Sequence, residues 1–153
     1  MEEIIKVIVF TLNNQRYGAD IKQVMSIEKM KEITKVPGTS DFIKGIISLH
    51  GETVPVLDLK ERLQIAKTKE SDLNRIIVVQ VDGIQVGLIV DAATDVMDVD
   101  SSVIETAKEM GGMVHKDYIK GVAKLENELL ILLDLANVLA LTEKEELKEV
   151  MEH

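Results

Sequence analysis

Four aspartates in one short stretch offer the largest set of possible metal ligands in the chain: Asp91, Asp95, Asp98 and Asp100. Carboxylate oxygens are the ligands that hard cations such as Ca²⁺ and Mg²⁺ prefer in proteins. A small acidic β-barrel that uses these side chains to bind a metal or to catalyse a reaction is therefore one hypothesis for this protein. Titration calorimetry with calcium, magnesium or zinc would test it.

The spacing within this stretch resembles a calcium-binding loop at several positions but departs from it at one. Glu109 lies eleven residues after Asp98, where a calcium loop places its bidentate carboxylate. The sixth position of that loop requires glycine for a sharp turn, and Val103 occupies it here. A β-branched residue resists positive φ. The segment instead predicts a strand end and a turn, in which Ser101 or Ser102 caps a short helical stretch.

The remaining residue types do not form a recognisable catalytic or cofactor-binding pattern. His50, His115 and His153 are widely separated, and no cysteine is available as a nucleophile or thiolate ligand. Ser48 and His50 lie two residues apart without the glycine-flanked turn that presents a nucleophilic serine. The glycine pair at 111–112 is not followed by the Lys-Ser pair of a phosphate-binding loop. We expect no catalytic residue, no metal and no cofactor.

Composition narrows the classes of partner. The chain has 153 residues and a formal net charge of −9, so nucleic acid and anionic membrane would be repelled. Aromatic residues make up only 3%, which leaves few stacking platforms for bases. The N-terminus is acidic and no apolar run approaches the roughly 20 residues of a membrane-spanning helix. We expect a cytoplasmic protein that acts through its surface on other proteins.

Short β-branched runs separated by turn residues predict a mainly β fold. Asp82-Gly83 separates residues 75–81 from residues 84–90, and Asp-Gly is a strong signal for a two-residue hairpin. Further turns are expected at 13–14, 49–52 and 126–127. Their regular recurrence is typical of an all-β barrel or sandwich.

The order of features repeats along the chain. The repeated segments, each with its counterpart, are Tyr17-Gly18 with Val86-Gly87, residues 42–46 (FIKGI) with 118–122 (YIKGV), and residues 56–59 (VLDL) with 132–135 (LLDL). Repetition of this kind indicates two units of one design. We expect one domain over residues 1–153 that contains a first barrel repeat at 1–66 and a second at 72–141. The last strand of either repeat could complete the other barrel, and residues 142–153 predict an amphipathic helix.

Each half closes with Asp-Leu and a short helical pattern, beginning at Asp58 and Asp134. An aspartate at this position can accept hydrogen bonds from free N–H groups of the first helical turn. Glu61 lies three residues beyond Asp58, as a capping box requires. Both aspartates are therefore interpreted as helix caps.

Several long segments resemble the CheW family of chemotaxis coupling proteins. They are 17–21 (YGADI), 36–37 (VP), 42–51 (FIKGIISLHG), 54–59 (VPVLDL) and 86–91 (VGLIVD). The resemblance implies two packed, five-stranded, SH3-like β-barrels and no catalytic activity. It also implies two partners, the regulatory domain of the histidine kinase CheA and the cytoplasmic signalling tip of chemoreceptors. The homologous domain of CheA and a CheV-like protein share this fold, but each would carry a further domain, and this chain begins directly at the first strand.

The resemblance further implies a receptor contact on the first half of the chain, while no motif identifies the kinase contact. The residues carried over as receptor-binding are Val24, Ser26, Ile27, Glu28, Gly45, Leu49, His50 and Gly51. The family usually has Asn-Leu-Arg-Gly where this chain has residues 48–51 (SLHG). The histidine replaces a fixed cation with a group whose reference pKa is about 6.5, so this contact is expected to differ electrostatically. A third hypothesis is a structural homo-oligomer formed by pairing of exposed strand edges.

Overall fold

A computed structural model describes residues 3–106 and 118–139. The strands are β1 Ile4–Leu12, β2 Gln15–Asp20, β3 Val24–Lys29, β4 Ile43–Leu49, β5 Glu52–Asp58, β6 Arg75–Val81, β7 Ile84–Val90, β8 Ala92–Asp100, β9 Ile104–Thr106, β10 Ile119–Lys124 and β11 Leu129–Leu133. Two short helices, α1 Leu59–Arg62 and α2 Leu135–Val138, follow β5 and β11. Single 3-10 turns span Ile21–Gln23 and Ser101–Val103. The predicted mainly β fold is confirmed, and the helix predicted at 142–153 lies outside the described residues.

The strands form two sheets that curl back on themselves. One sheet has the order β8-β1-β2-β11-β10-β9, and the other has the order β3-β6-β7-β5-β4. Thr34, which follows β3, exchanges two backbone hydrogen bonds with Ile46 of β4 and so links the two edges of the five-stranded sheet. In the six-stranded sheet, β8 leads through a single 3-10 turn into β9 at the opposite edge. Each sheet therefore approaches a closed barrel.

Each sheet combines strands from both sequence repeats. The hairpin β1–β2 pairs with β8 and, in parallel, with β11, whereas the hairpin β6–β7 pairs with β3 and, in parallel, with β5. The ranges 1–66 and 72–141 thus mark repeats of the sequence. The first hairpin of each repeat lies in the sheet whose remaining strands come from the other repeat. The sequence pattern left open an exchange of the last strands, and in the structure it is the first hairpins that cross. Local hairpin patterns specify a turn and an alternation of side chains, but they do not specify the sheet that a hairpin joins.

Both faces of the exchanged strands are buried. Along β1, Val7 and Val9 lie in a cluster within the six-stranded sheet, while Ile8, Phe10 and Leu12 lie in the largest cluster, which both sheets share. The corresponding strand β6 alternates in the same way between its own barrel and the shared cluster. Strands buried on both faces are continuously apolar, which accounts for the β-branched runs in the sequence. The shared cluster holds the two barrels together.

Two glycines occupy equivalent register shifts in the two halves. At Gly45 the backbone φ is +144°, and a Cβ atom would lie 2.0 Å from the carbonyl oxygen of Thr34. At Gly121 a Cβ atom would lie 2.7 Å from the carbonyl oxygen of Glu105. In both halves, therefore, the absence of a side chain lets an adjacent segment cross close to the strand.

Candidate functional site

The two repeated aspartates are helix caps. Asp58 Oδ1 accepts from the backbone N–H groups of Lys60 at 2.9 Å and Glu61 at 3.4 Å. Asp134 Oδ1 accepts in the same way from the N–H group of Ala136 at 3.1 Å. Each carboxylate thus compensates N–H groups that have no partner within a four-residue helix. The predicted structural role is confirmed.

The capping box predicted around Asp58 does not form. The backbone N–H group of Asp58 donates to the carbonyl oxygen of Phe42 at 2.7 Å, so it is not available to Glu61. Glu61 instead pairs with Lys44 at 2.7 Å and with Lys67 at 3.7 Å. The prediction was wrong because Phe42, in the turn just before β4, supplies the acceptor that the local pattern assigned to the glutamate.

The aspartates proposed as metal ligands do not converge. Asp95 lies 3.7 Å from Arg16, and Asp98 lies 3.9 Å from Lys6, so two of the four pair with different cations along β8. Among the residues that the structure describes, no group of three or more His, Cys, Asp or Glu side chains could hold a metal ion. The geometry of this part of the chain gives the metal hypothesis no support.

Asp100 is the cap of the 3-10 turn that follows β8. Its Oδ1 accepts from the N–H group of Ser102 at 2.9 Å. Ser101 Oγ accepts instead from the N–H group of Glu3 at 3.2 Å, which attaches the start of the chain to this turn. The prediction of a serine cap was wrong, although the turn itself is present. Asp100, one residue before Ser101, caps the turn instead, and aspartate is as good a cap as serine.

Asp91 has several hydrogen-bond partners inside the protein. Its Oδ1 accepts from Lys60 Nζ and from Thr68 Oγ1 at 2.8 Å, and its Oδ2 accepts from the N–H group of Asn13 at 2.7 Å. Burial acts to raise the pKa of Asp91, but the hydrogen bonds from Lys60, Asn13 and Thr68 outweigh it and hold the pKa below its ordinary value. The carboxylate is therefore charged at neutral pH and fully engaged. No local pattern in the sequence marks Lys60 as its partner.

The residues carried over as a receptor contact all lie in the five-stranded sheet. Four are on β3, Gly45 and Leu49 are on β4, and His50 and Gly51 form the turn between β4 and β5. Ser26 pairs with Val78 of β6, and Val78 belongs to the same buried cluster as Leu49. The structure thus places both predicted segments on one barrel.

The strand β3 and the residue that follows it also expose large apolar side chains. Met25, Ile27 and Met30 are all exposed. Ile27 is 43% exposed and pairs with Ile77 of β6. Val96 occupies the equivalent position on β8, where it is 54% exposed and pairs with Ile8 of β1. Contiguous exposed apolar side chains are typical of protein-binding surfaces.

His50 has an unusual backbone conformation. The turn contains two residues, with φ of +51° at His50 and +80° at Gly51, as a type I′ hairpin requires. Left-handed backbone costs a residue with a side chain roughly 1–2 kcal/mol, and asparagine tolerates it best. Replacing His50 with valine should lower the free energy of unfolding by about 1 kcal/mol, measured by urea denaturation. His50→Asn is the control and should leave stability unchanged or raised, and equal losses for both variants would contradict the prediction.

Each barrel contains a cavity between equivalent elements. A cavity of about 480 Å³ in the six-stranded sheet is lined by apolar side chains such as Val7 and Ile104, with Lys120 and Asp134 among its polar groups. A cavity of about 600 Å³ in the five-stranded sheet is lined by the corresponding Lys44 and Asp58 and also by the chain segment that follows α1.

No helix within the described ranges has the length and apolar character needed to cross a membrane.

Comparisons with known proteins agree with this architecture. The family model described as a CheW-like domain matches residues 6–143. The chain is 42% identical over 137 residues to the chemotaxis protein CheW of Bacillus subtilis (strain 168), covering 88% of this chain and 86% of that protein. It is 32% identical over 133 residues to the chemotaxis protein CheW of Klebsiella aerogenes, covering 87% and 80%.

A solved structure shows the same fold. The crystal structure of scaffolding protein TtCheW from Thermoanaerobacter tengcongensis superposes with a TM-score of 0.84 at 37% identity, over 94% of this chain and 97% of that chain. The family match, the identity to curated relatives and the shared pair of sheets lead to one conclusion: the chain belongs to the CheW family.

Proposed function

We propose that this protein is a non-catalytic cytoplasmic adaptor that couples chemoreceptors to the histidine kinase CheA. The observation that carries the proposal is membership of a family whose relatives are named chemotaxis proteins and whose structural neighbour is named a scaffolding protein. The described residues also lack a group of acidic or histidine side chains that could hold a metal ion. Two barrels joined by one core offer separate surfaces to two partners.

The receptor contact in this proposal lies on the five-stranded barrel. Its members are Val24, Ser26, Ile27, Glu28, Gly45, Leu49, His50 and Gly51. Their common sheet and the exposed apolar side chains of β3 support this assignment. A receptor tip that presents an amphipathic helix would bury Ile27 and its exposed neighbours, since helices bind to other proteins through an apolar face. The kinase would bind a surface that leaves β3 accessible.

The direct test is titration calorimetry of this chain with the CheA regulatory domain and with a receptor signalling-tip fragment. Each partner is first titrated into this chain alone. Each partner is then titrated into this chain after the chain has been saturated with the other partner. The adaptor proposal expects saturable binding to both partners and an affinity for the second that is not abolished by the first. Mutually exclusive binding would contradict coupling by simultaneous contact, and binding to neither partner would overturn the proposed function.

Substituting Ile27 with lysine should weaken receptor binding at least about 10-fold, because a buried apolar contact would be replaced by a charge that must be desolvated. The affinity for the kinase domain should stay within about twofold, since rim and remote substitutions cost little. The matched control is Val96→Lys at the equivalent position of β8. It should leave receptor affinity unchanged. Equal receptor affinities for the two variants would remove β3 from the receptor contact.

A further inference from the structure

A partly buried ion pair lies where the two barrels meet. Asp91 stands between β7 of the five-stranded sheet and β8 of the six-stranded sheet, and Lys60 lies on α1. Their side chains are only 16% and 9% exposed, respectively. Thr68, in the segment that connects the two repeats, donates to Asp91 and accepts from Lys60 Nζ at 2.6 Å. The pair therefore lies within a small and complete polar network.

The network joins elements of both sheets. The carboxylate of Asp91 accepts from the N–H group of Asn13 in the β1–β2 turn, and the N–H group of Asp91 donates to the carbonyl oxygen of Thr11 at 3.0 Å. These two contacts belong to the six-stranded sheet. Lys60 belongs to the helix that follows β5 of the five-stranded sheet. One carboxylate is thus hydrogen-bonded to the exchanged hairpin of one barrel and to the terminal helix of the other.

The sequence repeat does not provide a second copy of this pair. The repeats are offset by 69 residues in the hairpins and by 76 residues at the helices, so the positions equivalent to Asp91 and Lys60 are Lys22 and Ala136. A lysine and an alanine cannot form an ion pair. A duplicated chain should have two such contacts between a hairpin of one barrel and the terminal helix of the other. Only the contact at α1 contains the ion pair, so the two contacts differ.

We propose that the Lys60–Asp91 pair sets the orientation of the two barrels relative to each other. The shared core is apolar, and the hydrophobic effect that holds the barrels together through it is itself non-directional. An ion pair within a hydrogen-bonded network is directional, because Lys60, Thr68 and Asp91 keep their contacts only in one relative position. Any rotation that separates α1 from the β1–β2 turn would break this network. The inference does not depend on the identity of the partners.

Orientation and stability can be separated by experiment. Removing one partner would leave a partly buried, unpaired charge and destabilise the protein, whereas replacing both by apolar residues of similar size is often neutral or stabilising. The informative variant is therefore Lys60→Met combined with Asp91→Leu. The proposal expects this double variant to keep its thermal midpoint within about 3 °C of the parent, or above it, while losing the single preferred orientation.

The distance between the barrels can be measured with spin labels, since the chain has no native cysteine. Exposed positions for labels are Glu52 in the five-stranded sheet and Glu126 in the turn after β10, each substituted by cysteine. Double electron–electron resonance should give one narrow distance distribution in the parent and a distribution at least about twofold broader in the double variant. The control is Lys6→Met with Asp98→Leu, an exposed pair within the six-stranded sheet, which should leave the width unchanged.

Two results would overturn the proposal. An unchanged distance distribution in the double variant would show that the apolar core alone sets the orientation. A double variant that loses its fold or its thermal midpoint would show that the pair acts as a stability element. A broadened distribution with a preserved midpoint and a preserved far-UV spectrum would support the orienting role. Because no partner is added, these outcomes are independent of the receptor and kinase binding measurements.

Discussion

Replacing Gly45 with alanine should destabilise the protein by about 3 kcal/mol or more, because two separate costs add. The φ of +144° lies in a region that side chains rarely adopt, which costs roughly 1–3 kcal/mol. The new Cβ would also lie 2.0 Å from the carbonyl oxygen of Thr34, a backbone atom that cannot move without breaking its bridge to Ile46. Urea denaturation of the purified variant measures the loss directly.

The matched control for Gly45 is Gly51→Ala in the β4–β5 turn. Gly51 also has a positive φ, of +80°, but nothing lies within 4 Å of the position of its Cβ. Its substitution should therefore cost only the conformational strain, about 1 kcal/mol. Similar losses at both positions would show that the segment around Thr34 yields to the clash. The measured loss of stability is also needed to interpret receptor binding. A Gly45 variant that binds the receptor more weakly could do so only because less of it is folded.

Replacing Phe10 with alanine should cost about 3–5 kcal/mol, the usual range for removing a buried aromatic side chain. Phe10 is 1% exposed and stacks on Tyr17 with ring centroids 6.0 Å apart. It lies in the cluster that both sheets share, so its loss weakens both barrels together. We expect one unfolding transition, shifted to lower urea concentration, in which tyrosine fluorescence and far-UV circular dichroism change together.

The comparison for Phe10 is Val78→Ala, which removes a side chain from a cluster confined to the five-stranded barrel. Its cost should be about 2 kcal/mol on the basis of the buried methyl groups removed. Tyr17 and Tyr118 are the two tyrosines of the chain, and both lie in or beside the six-stranded sheet. If fluorescence and circular dichroism report different midpoints in either variant, the two barrels unfold separately and the shared core does not couple them.

Features encoded by neighbouring residues were predictable from the sequence. The Asp82-Gly83 turn has positive φ at both residues, of +50° and +79°, as an Asp-Gly hairpin requires. The caps at Asp58 and Asp134 also follow from the order of residues alone. These features depend on contacts within a few positions, and the side chains that form them have few alternative roles.

Features that depend on distant residues were not predictable from one sequence. Nothing near Asp91 indicates that Lys60 and Asn13 will reach its carboxylate, because those residues are brought there by the fold. The missing capping box has the same cause, since the carbonyl oxygen of Phe42 takes the N–H group of Asp58. The residues proposed for the receptor contact came from family resemblance, because exposed residues on a strand carry no local pattern that identifies their partner.

The exchange of hairpins has a consequence for how the chain reaches its native state. Ile4 pairs with Asp100, and Tyr17 pairs with Ile131, so the N-terminal hairpin must wait for strands that lie far along the chain. During synthesis the six-stranded sheet cannot be completed until β11 has left the ribosome. Folds dominated by such long-range pairing form slowly, on the order of milliseconds to seconds. Until then the apolar faces of β1 and β6 remain without their final partners, and exposed apolar strands of this kind are prone to aggregate.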